Sequence, residues 1–329
     1  MKLYQLALLS LIFAVFGFTP AQASHICDRT ANLLRVSCGF EASEDYFSDL
    51  ATCLNISHHD DRSDCVSDAK ADRLETIEEC SVVKGARKDV CDLTGQQAYE
   101  PEFGEDYAAN FVNPLDIGGS VSPNPYFPMV QGNTWTYEKV FEDDEGEEVT
   151  ETILVTVTGK TKVIEGITCV TINDIADEGG EVIEDTDDWY AQDIFGNLWY
   201  CGEIAENFET FEGDDPEEAE LVDIEGSWKA GRDGAKAGIL FPANPYVGET
   251  IRQEVLWGDA EDVITIESLT GTQVTPAASC DATCLVTKDF SALEPGVVEF
   301  KYFLPGVGLI AETDPESDER LELIEFETN

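Results

Sequence analysis

The chain has 329 residues, of which 68 are acidic and 19 are basic, and its formal net charge at pH 7 is −49. A negative field of this size repels nucleic acid and anionic membrane surfaces, so we expect neither as a partner, but rather a small ligand or a cationic partner. The three histidines are His25, His58 and His59, which excludes a Ser-His-Asp or Cys-His mechanism in the rest of the chain.

Residues 1–23 have the features of a secretory signal peptide. Lys2 precedes a 13-residue apolar run at 6–18, and the sequence AQA at 21–23 matches a small-residue cleavage site. The apolar run is shorter than the roughly 20 residues that span a bilayer as a helix. The sequence therefore predicts an exported protein, periplasmic or extracellular, without an integral membrane anchor.

Six of the ten cysteines stand in a symmetric pattern, because the spacings 11, 15, 12, 15 and 11 read the same in both directions. Two antiparallel elements joined by one turn near His59 would pair them as Cys27–Cys91, Cys38–Cys80 and Cys53–Cys65. At about 100° per residue, the steps of 11 and 15 keep the cysteines of each half on one helix face. Although 15 pairings are formally open, the pattern predicts a disulfide-laddered helical hairpin over residues 24–98, with helices at approximately 27–54 and 60–94.

Residues 99–127 form a linker or an ordered strap, since the stretch from 111 onward is rich in Pro, Gly, Ser and Asn. Residues 128–329 then contain about eleven short segments with β-branched, aromatic or alternating patterns and no long amphipathic helix. The fold class expected is mostly β with a helical appendage. The acidic β domain would be an antiparallel barrel, half-barrel or sandwich.

The remaining cysteines lie in the β region. Cys280 and Cys284 are the simplest local pair. Cys169 and Cys201 are expected on two strands that flank a third, so their Cα atoms would be near about 10 Å apart in a flat sheet, too far for a bridge. Their pairing is left open.

Clusters of acidic residues are candidate calcium sites, because calcium prefers oxygen ligands. Such clusters occur at residues 142–148, 174–188 and 214–220, without the spacing of an EF-hand loop, so a solvated acidic surface is the alternative. His58 and His59 could ligate copper or zinc, or simply form a polar turn. The candidate metal ligands are Asp174, Asp177, Glu184, Asp185, Asp187, Asp188, His58 and His59.

Two aromatic pairs are candidate ligand-binding residues: Trp189 with Tyr190, and Trp199 with Tyr200. Exposed, they would form a stacking platform or a pocket wall; buried, they would be β core, since consecutive residues alternate faces. No phosphate-binding loop, dinucleotide-binding glycine motif or H-E-x-x-H motif occurs. A mechanism based on paired carboxylates stays open, but no pair stands out among so many acids.

The stretches DWYAQDIFGNLWY and LEPGVVEFKYFLPGVG resemble signature stretches of a family of uncharacterised exported bacterial proteins, over roughly residues 120–315. The resemblance implies no activity. The strand count and the opening GNTWTY are loosely similar to periplasmic half-barrels that carry lipids or lipoproteins, a likeness of fold alone. We expect a non-enzymatic binding protein, with a divalent cation such as calcium as candidate ligand. The alternatives are a carrier of a hydrophobic ligand, with the hairpin as a lid, and a carboxylate-based hydrolase.

Overall fold

The computed structural model describes residues 25–329 except 143–145, 147, 212 and 318. The predicted signal peptide and part of the acidic cluster at 142–148 lie outside the described residues. The described chain is a nearly closed antiparallel barrel with an N-terminal helical hairpin, which confirms the predicted fold class.

The hairpin consists of α1 (Ile26–Cys53) and α2 (His59–Thr94), joined by the three predicted disulfides. Their Cα–Cα distances are 5.7 Å for Cys27–Cys91, 5.9 Å for Cys38–Cys80 and 5.6 Å for Cys53–Cys65. Apart from cysteines, the buried hydrophobic side chains of the two helices are few and small: Ala31, Ala42, Ala69 and Val90. Two helices with so little buried apolar surface depend on the disulfides for their pairing.

Residues 99–127 form an ordered strap that packs on the barrel. The strap contains two short 3-10 helices, Glu105–Asn110 and Pro114–Asp116. The rings of Phe103 and Phe111 each lie 5.9 Å from the ring of Trp199 in the barrel. These contacts place the aromatic side chains of the strap against the barrel core, while the domain boundaries themselves stay a prediction.

Fifteen strands occur in the described residues, rather than about eleven. They are β1 (Thr134–Glu142), β2 (Glu148–Ile164), β3 (Ile167–Glu178), β4 (Glu181–Gln192), β5 (Leu198–Glu209), β6 (Glu220–Asp223), β7 (Trp228–Lys229), β8 (Lys236–Phe241), β9 (Thr250–Arg252), β10 (Glu254–Val255), β11 (Asp262–Val274), β12 (Ser279–Ser291), β13 (Glu299–Leu304), β14 (Gly308–Thr313) and β15 (Arg320–Glu327). The additional strands are short ones, β6, β7 and β8, together with the division of one predicted strand into β9 and β10. The two to six residues of β6, β7 and β8 show too little alternation to be recognised in the sequence.

The two edges of the barrel approach each other where the chain passes from β9 to β10. The strand order runs β10-β8-β5-β4-β3-β2-β1-β15-β14-β13-β12-β11-β9, so β9 and β10 lie at opposite edges although only Gln253 separates them. The amide of Gln253 donates to the carbonyl of Asp262 at 2.9 Å. Gly238 in β8 permits this crossing, because an added Cβ there would lie 2.3 Å from the carbonyl oxygen of Gln253.

The expectation that Cys169 and Cys201 are too far apart to bridge is wrong. Their Cα atoms lie 6.8 Å apart and the two residues form a disulfide. In the pairing of β4 with β5, Trp189 lies opposite Gly202 and Tyr190 opposite Tyr200, so Cys201 is the extra residue of a β-bulge. The bulge and the curvature of the barrel shorten the distance that a flat sheet would impose. Cys280 and Cys284 also form the expected local disulfide.

The hairpin packs against the barrel through α2. The Arg87 guanidinium donates to both carboxylate oxygens of Glu261, at 2.6–2.9 Å, and both side chains are buried. Beside this ion pair, Val90 packs with Val263 and Ala292. A buried ion pair and a small apolar cluster therefore fix the base of the hairpin on the β domain.

Neither hairpin helix, nor any other helix among the described residues, is long and apolar enough to cross a membrane. The five disulfides are typical of an exported protein, because cytosolic thiols are kept reduced.

Candidate functional site

A partly open cavity of about 460 Å³ lies between the base of the hairpin and the barrel. We call it the hairpin cavity. Its walls come from the ends of α1 and α2, the start of the strap, and strands β5, β8 and β9. The lining residues are Ile26, Cys27, Thr30, Thr94, Gly95, Gln97, Ala98, Tyr99, Pro101, Trp199, Lys236, Ile239, Thr250, Ile251, Arg252 and Trp257.

Local contacts hold the walls of the hairpin cavity in place. The α2 helix ends at Thr94 and is followed by Gly95, whose φ of +96° lets the chain turn toward the strap. The amide of Ile26 donates to the carbonyl of Gln96 at 3.0 Å, which joins the two ends of the hairpin. The hydroxyl of Tyr99 donates to the carbonyl of Ala237 at 3.0 Å, so the first strap residues are fixed to β8.

Arg252 is the buried charge of the hairpin cavity, with 6% of its surface exposed. Its guanidinium lies 5.1 Å from the ring centre of Trp257. Burial lowers the pKa of Arg252, while the nearby Glu261 carboxylate acts in the opposite direction. Burial also raises the pKa of Tyr99 to about 12, although the positive charge of Arg252 opposes this rise.

A second cavity of about 350 Å³ lies inside the barrel, with apolar and carboxylate side chains in its walls. The hydroxyl of Tyr200 is hydrogen-bonded to Asp188 and lies 2.6 Å from Oε2 of Glu203. One hydroxyl has one hydrogen, so these two contacts need a proton on one of the carboxyl groups. Burial accounts for this proton: it raises the pKa of Asp188 to about 6 and that of Glu203 to about 8.

Other acids in the barrel interior are shifted in the same direction. Burial raises the pKa of Asp174 and that of Glu254 well above their ordinary values, and neighbouring carboxylates add to the shift. Oε2 of Glu254 is buried without a hydrogen bond to any residue that the structure describes. In contrast, Lys301 has three acidic neighbours within 3.7 Å, namely Asp289, Glu299 and Glu312. The barrel interior thus contains several acids whose pKa values are raised, together with one lysine among the residues that line its cavity.

The predicted aromatic site residues are all buried. Trp189, Tyr190, Trp199 and Tyr200 have 4–9% of their surface exposed and belong to the barrel core, so they do not form an exposed stacking platform. Tyr190 and Tyr200 line the barrel cavity, and Trp199 lines the hairpin cavity. Trp189 packs instead under Lys162, whose Nζ lies 3.2 Å from the ring centre.

The strands separate the predicted acidic ligands, because successive side chains point to opposite faces of a sheet. Asp174 and Asp188 line the barrel cavity. Asp185 and Asp187 accept hydrogen bonds from Asn173, at 2.7 and 3.4 Å. Two more predicted ligands are engaged locally: Asp177 accepts from the amide of Gly180, and Glu184 accepts from the hydroxyl of Thr186.

His58 and His59 are 69% and 84% exposed in their side chains, and each contacts its own neighbouring aspartate, at 3.4 and 3.2 Å. Across the described residues, no group of three or more His, Cys, Asp or Glu side chains is arranged to hold a metal ion. The calcium expectation therefore has no preformed site in this part of the chain.

Sequence reasoning missed Arg252, Glu254 and the Arg87–Glu261 pair. One signal was present: alternation in the segment TIRQEVLW predicts Arg252 and Glu254 on the same face as Leu256, although the structure divides this segment between β9 and β10. Charged residues that share a face with an apolar residue in a buried strand are candidates for a site.

Comparison with known proteins adds little. No family model matches the chain, and no curated protein matches it. A solved structure to which it is similar is that of a "putative lipoprotein" from Parabacteroides distasonis, with 13% identity and a TM-score of 0.32, covering 63% of this chain and 100% of the other. A likeness at this level carries no argument about function, and the resemblance to a family of exported bacterial proteins stays a prediction.

Proposed function

We propose that this protein is an exported, non-enzymatic binding protein, periplasmic or extracellular, which holds a small molecule with an apolar body in the hairpin cavity. One observation carries the proposal: a cavity of about 460 Å³ has walls of isoleucine, tryptophan and tyrosine side chains with a few polar groups among them. This size and composition are typical of small-molecule sites.

The walls are held before any ligand arrives. The Cys27–Cys91 disulfide joins the two helices beside the cavity, and the Arg87–Glu261 pair fixes α2 to the barrel. A preformed cavity binds with little loss of conformational freedom, which favours affinity for a small ligand. The hairpin is therefore a fixed wall of the site rather than a hinged lid.

A cavity-filling substitution tests the proposal. The neutral fluorescent probe N-phenyl-1-naphthylamine should bind the wild-type protein with enhanced emission. Thr30→Trp, which adds an indole to the cavity wall from α1, should weaken binding at least tenfold, equivalent to about 1.4 kcal/mol.

The matched control is Thr76→Trp. Thr76 also lies on a hairpin helix, with its hydroxyl bonded to the carbonyl four residues earlier, as in Thr30, but it lines no described cavity. Binding should be unchanged in this variant. The proposal fails if the probe binds the Thr30→Trp protein as tightly as wild type. The probe would then occupy another apolar surface, such as the outer face of α1, where Leu33 and Phe40 are 70% and 73% exposed.

A carboxylate-based hydrolase is the second candidate, favoured by the Asp188–Tyr200–Glu203 group. Because both carboxyl groups reach one hydroxyl, their oxygens lie within about 5 Å of each other, and their pKa values differ, as in an acid and nucleophile pair. Wild-type protein should then cleave aryl glycosides, and Asp188→Asn should lower the rate at least a hundredfold. A background rate for both proteins would remove this candidate.

A further inference from the structure

The hairpin cavity differs in charge from the rest of the molecule. Acidic residues outnumber basic ones by 68 to 19 in the chain, but the cavity lining contains two basic residues, Lys236 and Arg252, and no acidic residue. A wall without carboxylates in so acidic a protein favours a ligand that acids would repel.

Arg252 has hydrogen-bond donors to spare. A guanidinium has five N–H donors. Among the described residues, its side-chain acceptors are Sγ of Cys27 at 3.7 Å and Oγ1 of Thr94 at 3.5 Å, both from Nη2. These distances are at the long limit of hydrogen bonding, so most of the capacity of Arg252 is unused. None of its nitrogens is among the fully buried atoms without a partner, so the unused donors are accessible from the cavity, where a ligand can supply acceptors.

The other charged groups near Arg252 already have partners of opposite charge. Glu261 is the acid that acts on Arg252, but the Arg87 guanidinium holds both of its carboxylate oxygens. The ammonium of Lys236 donates to the carboxylate of Glu100 at 2.8 Å and to the carbonyl of Tyr99 at 2.6 Å. One positive charge, that of Arg252, is thus left in excess at the cavity wall.

We infer that the ligand of the hairpin cavity is an organic anion, with its carboxylate or sulfonate on the Arg252 guanidinium and its apolar body between Trp257, Ile239 and Ile251. This inference rests on the proposed function and adds the ligand class. A planar guanidinium binds a carboxylate through two parallel N–H donors, a geometry that lysine lacks. The ring of Trp257, 5.1 Å away, restricts the orientation of that plane.

The test compares two probes of one skeleton. N-phenyl-1-naphthylamine is neutral, and 1-anilinonaphthalene-8-sulfonate carries one negative charge on the same aromatic rings. Wild-type protein should bind the sulfonate at least tenfold more tightly than the neutral probe, because charge-assisted hydrogen bonds are stronger than neutral ones. Arg252→Met should abolish that preference by lowering the affinity for the sulfonate at least tenfold, and the unfolding transition of the variant reports whether the fold is intact.

Two further variants test whether the preference depends on the positive charge of Arg252 or on its planar guanidinium. Arg252→Lys keeps the charge but loses the planar fork, so it should retain part of the preference. Arg73→Met removes an arginine that lines no described cavity and should retain all of it. Equal affinity of the wild-type protein for both probes, or a preference that survives Arg252→Met, would overturn the anion inference while the proposed function stands. Failure of both probes to bind the wild-type protein would end both proposals.

Discussion

Arg87→Met should lower the free energy of unfolding by about 3–5 kcal/mol. This is the largest effect that we expect from a single substitution where the hairpin packs on the barrel. Among the described residues, the substitution leaves the buried Glu261 carboxylate with one hydrogen-bond donor, the amide of Gly258 at 2.9 Å. An unpaired buried charge costs far more than the net value of the pair. Chemical denaturation followed by circular dichroism would measure the loss in the free energy of unfolding.

The double variant Arg87→Met/Glu261→Met is the informative comparison. It removes both charges and fills the same space with apolar atoms, so its free energy of unfolding should return to near the wild-type value. Lys70→Met, at an exposed position of α2, controls for the loss of one positive charge and should change stability by less than about 0.5 kcal/mol. A double variant as unstable as Arg87→Met would show that the pair does not act through its charges.

The protein should become less stable as the pH rises from about 4 to about 8. Folded Glu203 has a pKa raised to about 8 and folded Asp188 one raised to about 6, both through burial, and Asp174 and Glu254 shift in the same direction. The folded state therefore binds more protons than the unfolded state in this range, and the free energy of unfolding falls with pH. One pKa unit is worth about 1.4 kcal/mol, so the rises from 4.5 to about 8 for Glu203 and from 3.8 to about 6 for Asp188 correspond to a fall of up to about 8 kcal/mol.

Glu203→Gln should flatten this profile and raise stability at pH 8, because the amide stays neutral and its N–H can donate to the Tyr200 oxygen. The control is Glu209→Gln, at an exposed position of the same strand. Measurements at 0.5 M NaCl screen the repulsion between surface acids but not the buried group. Equal slopes for the wild-type and Glu203→Gln proteins under these conditions would contradict the assignment of the proton to this group.

The hairpin could be predicted from the sequence because the cysteine pattern that specifies it is local. The spacing of Cys27, Cys38 and Cys53 records the helix period, and the mirrored spacing of their partners records one antiparallel turn. The longer strands were readable for the same reason, since alternation of side chains occurs within each strand. The pairing of Cys169 with Cys201 was not readable, because it depends on a bulge and on barrel curvature, which no local pattern encodes.

The same distinction between local pattern and tertiary structure applies to the candidate sites. Composition alone established an acidic, disulfide-rich chain with few histidines, and it excluded histidine-based catalysis beyond residue 59. It could not say which acids among 68 are buried, because β-alternation assigns faces only after the register is known.

Tertiary structure decided the partners of the buried charges. Arg87 and Glu261 are 174 residues apart in sequence, and Arg252 meets the ends of both hairpin helices only where the barrel closes. The free energy of a buried charge depends on the groups within a few ångströms of it, and those groups come from distant parts of the chain. The sequence by itself therefore determined the helical hairpin and the longer strands and predicted export, whereas the packing of the hairpin on the barrel determined where an arginine is left without a carboxylate and where a cavity lies.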